Sequence, residues 1–250
     1  MLTKQLTGVT MEEKTKAERF LDAFNNIDYS LRARYSLNRS MSFSDLIRKC
    51  VSLNYVVRKY EDDLIDYGRL RNAIVHQGNK DYIIAEPHEN IVSHIEKIEH
   101  LINVPPKVVD ICRRDVLSAS AGSSMEDIIK LISSSKYSNI PIYEGKTLIG
   151  IANGQKILDS FGQYLISGGK ATTFLKHMQI EDLLTKIEDS NYYEVCPVDL
   201  TIEEALTKFH NNPKLLVILL TKTGGYNENA VGIVTGADSI TMNKVLDNFN

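Results

Sequence analysis

The chain of 250 residues has no tryptophan, three cysteines and six prolines, and each scarcity closes off a class of protein. Cys50, Cys112 and Cys196 are odd in number and far apart, so they frame neither a disulfide scaffold nor a zinc knuckle. Reduced, buried thiols are the expectation. No apolar run approaches the roughly 20 residues that a membrane-spanning helix needs. The polar start Met1-Leu2-Thr3-Lys4-Gln5 lacks the apolar core of a signal peptide. Both absences point to a cytoplasmic protein with no membrane partner. An excess of positive charge is also missing: 29 Lys and Arg against 32 Asp and Glu leave a net charge of -3. That excludes a globally basic nucleic-acid binder and leaves room only for a local patch.

What is present is soluble material, 43% hydrophobic and 24% charged, in a length that suits one large domain or two small ones. The pattern favours two. Ala17, Phe20, Leu21, Phe24, Ile27 and Leu31 recur at helical spacing and lay an apolar stripe along a first long helix. Ser42 or Ser44 is placed to cap a second, carrying Leu46, Ile47, Cys50, Val51, Leu53, Val56 and Val57. A third is expected from about Asp62 to His76, with an acidic start and Gly78 just past its end. A fourth follows Pro87, burying Ile91, Ile95, Ile98, Leu101 and Ile102. These predict a small antiparallel helical bundle over 1–104.

Val104-Pro105-Pro106 stops the helical pattern, because proline removes a backbone donor and restricts its predecessor to extended geometry. The domain boundary is placed there, with a second domain over 105–250. Short β runs alternating with helices follow, and two segments repeat. Ser124-Met125-Glu126-Asp127-Ile128-Ile129 corresponds to Thr201-Ile202-Glu203-Glu204-Ala205-Leu206. Asn139-Ile140-Pro141-Ile142 falls opposite Leu216-Val217-Ile218-Leu219, and Gly150-Ile151-Ala152-Asn153 matches Gly232-Ile233-Val234-Thr235. The extra residues of the second copy lie in the turn Thr223 to Asn227. Two pseudo-symmetric β-α-β-β-α repeats packing sheet to sheet are the expectation. They run over about 107–165 and 180–246, with a helical linker between, so the fold class is multidomain, α followed by α/β.

Over residues 107 to 246 this half resembles a tandem pair of CBS domains. The specific element is Gly232-Ile-Val-Thr-Gly-Ala-Asp238. The resemblance implies a strand ending where a helix opens, with the Asp238 carboxylate gripping both ribose hydroxyls of an adenine nucleotide. AMP, ADP, ATP or a cyclic dinucleotide would then be a regulatory ligand. The chemistry is consistent, since an ionised Asp238 can accept two hydroxyl donors while Thr235 and the amides of the helix start meet phosphate. Thr and Asp are also good helix-capping residues, which is the alternative for both. The first copy departs from the pattern, with Asn153 in the Thr position and Lys156 in the Asp position. One nucleotide site is therefore expected, and Lys156 could at most meet phosphate.

The first half, over about residues 11 to 103, resembles the HEPN domains of toxin, abortive-infection and CRISPR-associated ribonucleases. The element that carries this is Arg-Asn-x-x-x-His, here Arg71, Asn72 and His76, at the expected end of the third helix. The resemblance implies a homodimer in which two motifs meet and cleave RNA without a metal. In that scheme two copies of His76 share the acid and base roles and Arg71 stabilises charge on the phosphoryl oxygens. Asn72 shares a helix face with His76 and would orient it or the phosphate. Between Asp28 and Asp45, Arg32, Arg34 and Arg39 interleave with Tyr29 and Tyr35 without an acid, a pattern that can hold phosphate and stack bases. A solvated helix face explains that run equally, and a salt bridge to Asp66, Asp63 or a neighbouring helix would explain Arg71. Two functions follow: a nucleotide-regulated endoribonuclease, or a non-catalytic nucleotide sensor whose helical domain serves dimerisation or partner docking.

Overall fold

The computed structural model describes residues 14–75, 86–184 and 190–249. The chain separates into two compact units, one ending at Pro105 and also taking Phe249, the other spanning Pro106–Asn248.

The first unit is helical: α1 (Lys16–Arg34), α2 (Phe43–Cys50), α3 (Tyr55–Lys59), α4 (Glu61–Val75) and α5 (Glu89–Asn103). α1 starts at Thr15, whose hydroxyl accepts from the Glu18 amide while the Glu18 carboxylate accepts from the Thr15 amide, so two otherwise orphaned donors are satisfied. α1 packs on α2, α4 and α5. Phe20, Ile27 and Leu31 are wholly removed from solvent, at about 1.5–3 kcal/mol of apolar burial each. Ala23 joins this buried face, while Ala17 and Leu21 remain half-exposed. In α5, Val92 rather than Ile91 is buried. Ser42, not Ser44, caps α2, its hydroxyl accepting from the Asp45 amide at 3.2 Å.

The expected second helix is two. Asn54 breaks it: its buried side-chain carbonyl accepts from the Val57 amide at 2.9 Å and starts α3, while its own amide closes α2 on the Cys50 carbonyl. Leu53 is thereby turned outward. An apolar periodicity that runs across a cap cannot by itself show the break.

The second unit holds β1 (Ala119–Ser120), α6 (Met125–Ser135), β2 (Asn139–Glu144), β3 (Thr147–Asn153), α7 (Gly154–Ile166), α8 (Ala171–His177) and α9 (Ile180–Leu184). β4 (Tyr193–Pro197), α10 (Ile202–Asn211), β5 (Val217–Thr221), β6 (Gly232–Thr235) and α11 (Ser239–Asn248) follow. Among the described residues these strands form two three-stranded mixed sheets, β1-β2-β3 and β4-β5-β6, each with a parallel pair and then an antiparallel pair. The repeat is legible atom by atom at the helix starts. Ser124 caps α6 through the Asp127 amide, and Thr201 caps α10 through the Glu204 amide.

The strand register corrects the sequence alignment by one residue. Gly150 pairs with Ile142 and Gly232 with Leu220, so Ile142 corresponds to Leu220 rather than to Leu219. β5 is buried along its whole length, and a strand without alternation offers nothing to fix a register of period two.

Each repeat is held by the segment that leads into the other. Val108 donates its amide to the Leu200 carbonyl at 2.9 Å and Ile202 donates to Pro106 at 2.8 Å. Ile180 donates to Ser123 at 3.0 Å and Met125 to Met178 at 3.1 Å in the same way. Further along, Cys112 lies over Gly232 and Leu184 lies over Gly150. That explains glycine inside β3 and at the start of β6, since a side chain occupies the space a Cβ would need. The two sheets meet through Leu148, Ile151, Tyr192, Val217, Leu219 and Ile233, while Met125, Ile140, Ile142 and Phe174 anchor a second core under the helices of the first repeat.

Candidate functional site

β6 ends at Thr235, and the chain passes through a 3-10 turn, Gly236–Asp238, into α11. The turn brings the two predicted residues together. One carboxylate oxygen of Asp238, Oδ2, accepts from the Thr235 amide at 2.7 Å and from the Thr235 hydroxyl at 3.0 Å. The pair does cap the turn. Its other oxygen, Oδ1, has no hydrogen bond among the described residues, and Asp238 and Thr235 are both half-exposed. Gly236 and Ala237 lie exposed between them, and nothing stands within 4 Å of where a Cβ on Gly236 would be. The junction thus offers a free carboxylate oxygen beside an open stretch of backbone.

The corresponding junction of the first repeat is filled. Asn153 is buried; its carbonyl accepts from the Lys156 amide at 3.1 Å, and its amide group donates to the Asn139 carbonyl at 2.7 Å. Lys156 lies with its ammonium 4.5 Å from the centre of the Tyr192 ring. Tyr192 is itself buried and donates its hydroxyl to the Ile151 carbonyl at 2.8 Å. Burial, with a smaller contribution from neighbouring Tyr193, pushes the Tyr192 phenol up to about 12.

Arg113, which no sequence motif marks, lies against β6. Its backbone exchanges both hydrogen bonds with Ile233 at 3.3 and 3.0 Å, and its guanidinium stacks 3.5 Å from the centre of the Tyr137 ring. An Arg113-Arg114 pair before a short strand carries no periodic signal.

In the helical unit, Arg71 and Asn72 line a cleft of about 400 Å3 with Asn25, Asp28, Ser42 and Arg69. The Arg71 guanidinium donates to the Asn72 carbonyl at 3.3 Å. Asp66 pairs with Arg69 at 2.6 Å, and among the described residues Arg71 makes no ion pair, so the proposed Asp66 or Asp63 salt bridge is not formed. The reason is register: Arg69 is three residues from Asp66 on one helix face, a spacing that favours the pair. His76 lies outside the described residues. The basic run before α2 is largely committed to structure. Arg32 bonds to Asp28 and to the carbonyls of Asn38 and Met41, Arg34 to the Ile102 carbonyl, and Tyr35 to the Leu53 carbonyl. Arg39 and Tyr29 remain exposed.

Among the described residues no group of three His, Cys, Asp or Glu side chains is arranged to hold a metal ion, and no helix is long and apolar enough to cross a membrane.

A model of the CBS domain family matches residues 108–161, so the C-terminal region contains a CBS domain, and the match falls on the first repeat. No curated protein matches the chain. Among solved structures, the CBS domain of a bacterial CNNM/CorC-family Mg2+ transporter in complex with ATP is 18% identical, covers 60% of this chain and 96% of that chain, and has a TM-score of 0.43. CBSX2 in complex with AMP is 18% identical, covers 57% and 99%, and has a TM-score of 0.42. The CBS domain pair of protein MJ0100 in complex with 5′-methylthioadenosine and S-adenosyl-L-methionine is 17% identical, covers 58% and 99%, and has a TM-score of 0.40.

Proposed function

We propose that the C-terminal unit is a regulatory CBS pair that binds one adenine nucleotide at Thr235 and Asp238. The observation that carries this is the unpartnered Oδ1 of Asp238 beside exposed Gly236 and Ala237 at a strand-to-helix junction. A ribose has two vicinal hydroxyls, both donors, and an ionised carboxylate has acceptor positions to spare after the Thr235 bonds. The amides of the turn add partial positive charge on the phosphate side. The first repeat contributes no second site, because Asn153 is buried in two hydrogen bonds and Lys156 stands where the carboxylate would be.

Calorimetry on the full chain with AMP, ADP, ATP and cyclic di-AMP tests this. One equivalent should bind, and Asp238→Ala should weaken it about tenfold to hundredfold, the loss expected for hydrogen bonds to a charged group. Absence of binding to all four would end the reading. For the ligand to regulate, it must bind two arrangements of the protein with different affinity.

The reading of the helical unit as a metal-independent endoribonuclease is favoured by one feature, that Arg71 carries no ion pair among the described residues and lines a polar cleft with Asn72. Arg71 would there stabilise phosphoryl charge, with His76 as acid and base across a homodimer on an RNA substrate. Cleavage of single-stranded RNA that survives both Arg71→Ala and His76→Ala, or no cleavage at all, leaves the alternative, a docking module without catalysis.

A further inference from the structure

A carboxylate that grips a ribose repels the phosphate attached to it, so a nucleotide site at Asp238 needs a cation close by. We infer that Arg113 supplies it and binds the phosphate of the ligand; this rests on the adenine-nucleotide reading of the junction. Arg113 stands directly opposite Ile233 in an antiparallel bridge, so the two side chains project from the same face. Ile233 and Val217 both belong to the core between the two sheets, and Val217 is the β5 partner of Thr235. Arg113, Ile233 and Thr235 therefore share one face. Arg113 and Thr235 stand in the diagonal relation, with Cα atoms about 7–8 Å apart, within reach of a long side chain.

The state of the guanidinium supports the same assignment. Among the described residues its buried Nε has no acceptor and no carboxylate pairs with the group. A buried N–H without a partner is costly unless a partner arrives. The Tyr137 ring lies 3.5 Å from the guanidinium carbon and covers one face of its plane, so the donors, which lie in that plane, are what the group has left to meet an anion. A planar fork presented edge-on matches two phosphate oxygens, a geometry that lysine cannot supply. The ligand class that fits is an adenosine phosphate, with ribose on Asp238 and phosphate on Arg113.

The test compares AMP with adenosine by calorimetry on the full chain, for the wild type, Arg113→Ala and Arg113→Lys. Arg113→Ala should weaken AMP about tenfold to hundredfold and leave adenosine within about twofold. Arg113→Lys, which keeps the charge and loses the fork, should fall between. Unchanged AMP affinity, or equal loss for AMP and adenosine, overturns the role of Arg113 and leaves the nucleotide site standing. A wild type that binds neither overturns both. Should Arg113→Ala fail to fold, judged by thermal melting, Arg113→Lys decides on the same terms: full AMP affinity overturns the assignment, and a selective loss of AMP sustains it.

Discussion

The two strand-to-helix junctions of the second unit share a backbone and differ in what their polar groups have left to offer. At the first, Asn153 uses its carbonyl on the Lys156 amide and its amide group on Asn139, inside the protein. At the second, Asp238 uses one oxygen on Thr235 and keeps the other at a half-exposed surface. Asn153 is satisfied by one acceptor and one donor, whereas a carboxylate has more acceptor positions than the turn can fill. A repeat can thus be conserved in shape while one copy spends its polar groups on stability and the other holds them available.

The largest effect that could break this comparison lies at the matched glycines. A Cβ on Gly232 would run into the Sγ of Cys112, while one on Gly150 would meet the Leu184 side chain, its nearest atom at 3.0 Å. Leucine can rotate its terminal methyls; cysteine has one short rotor and is anchored by the Arg113–Ile233 pairing next to it. Gly232→Ala should therefore cost about 1–3 kcal/mol and Gly150→Ala distinctly less, read as shifts in the midpoint of chemical denaturation. Equal costs would mean that the two segments leading into the repeats are not held alike.

A smaller effect separates the caps. Asn153→Ala removes the bond that starts α7 and strands the Asn139 side chain, at a cost of about 1–2 kcal/mol. Thr235→Ala deletes only a hydroxyl that donates to Asp238, leaves the Thr235 amide bond in place, and should cost less than about 1 kcal/mol. Denaturation of both variants checks the order. A reversal would show that the open junction, not the filled one, is the structural cap.

These contrasts mark what was readable beforehand. The correspondence of Ser124 with Thr201 was visible as a repeat, and both residues prove to cap a helix; the capping alternative for Thr235 and Asp238 is likewise met in the Thr235 amide bond, because a cap acts within three residues of itself. What was not readable depends on residues distant in sequence. The Ile142 to Leu220 register was lost in a strand with no exposed face. Asn54 hid inside an apolar run that continued past it. Arg113 acquires its neighbours Ile233 and Tyr137 only when the strands assemble. The long-range pairs Arg19 with Glu89 and Glu96 belong to the same class, spanning 70 and 77 residues.

The smallest effect concerns Lys156, which stands in the position that Asp238 fills in the other repeat. Its ammonium sits over Tyr192, and Tyr192 is buried at the contact between the two sheets. A cation over an aromatic face at a partly exposed site contributes about 0.5–1 kcal/mol. Lys156→Gln removes the charge with a slightly shorter side chain and keeps the α7 cap, since the cap uses the backbone amide of residue 156. It should therefore destabilise by about that amount, and nucleotide stoichiometry should stay at one per chain. A second equivalent bound by Lys156→Gln would mean that the lysine had been blocking a working site. That result would undo the contrast between the junctions more directly than any change in stability, because it would make the first repeat a site closed by one side chain rather than one rebuilt for packing.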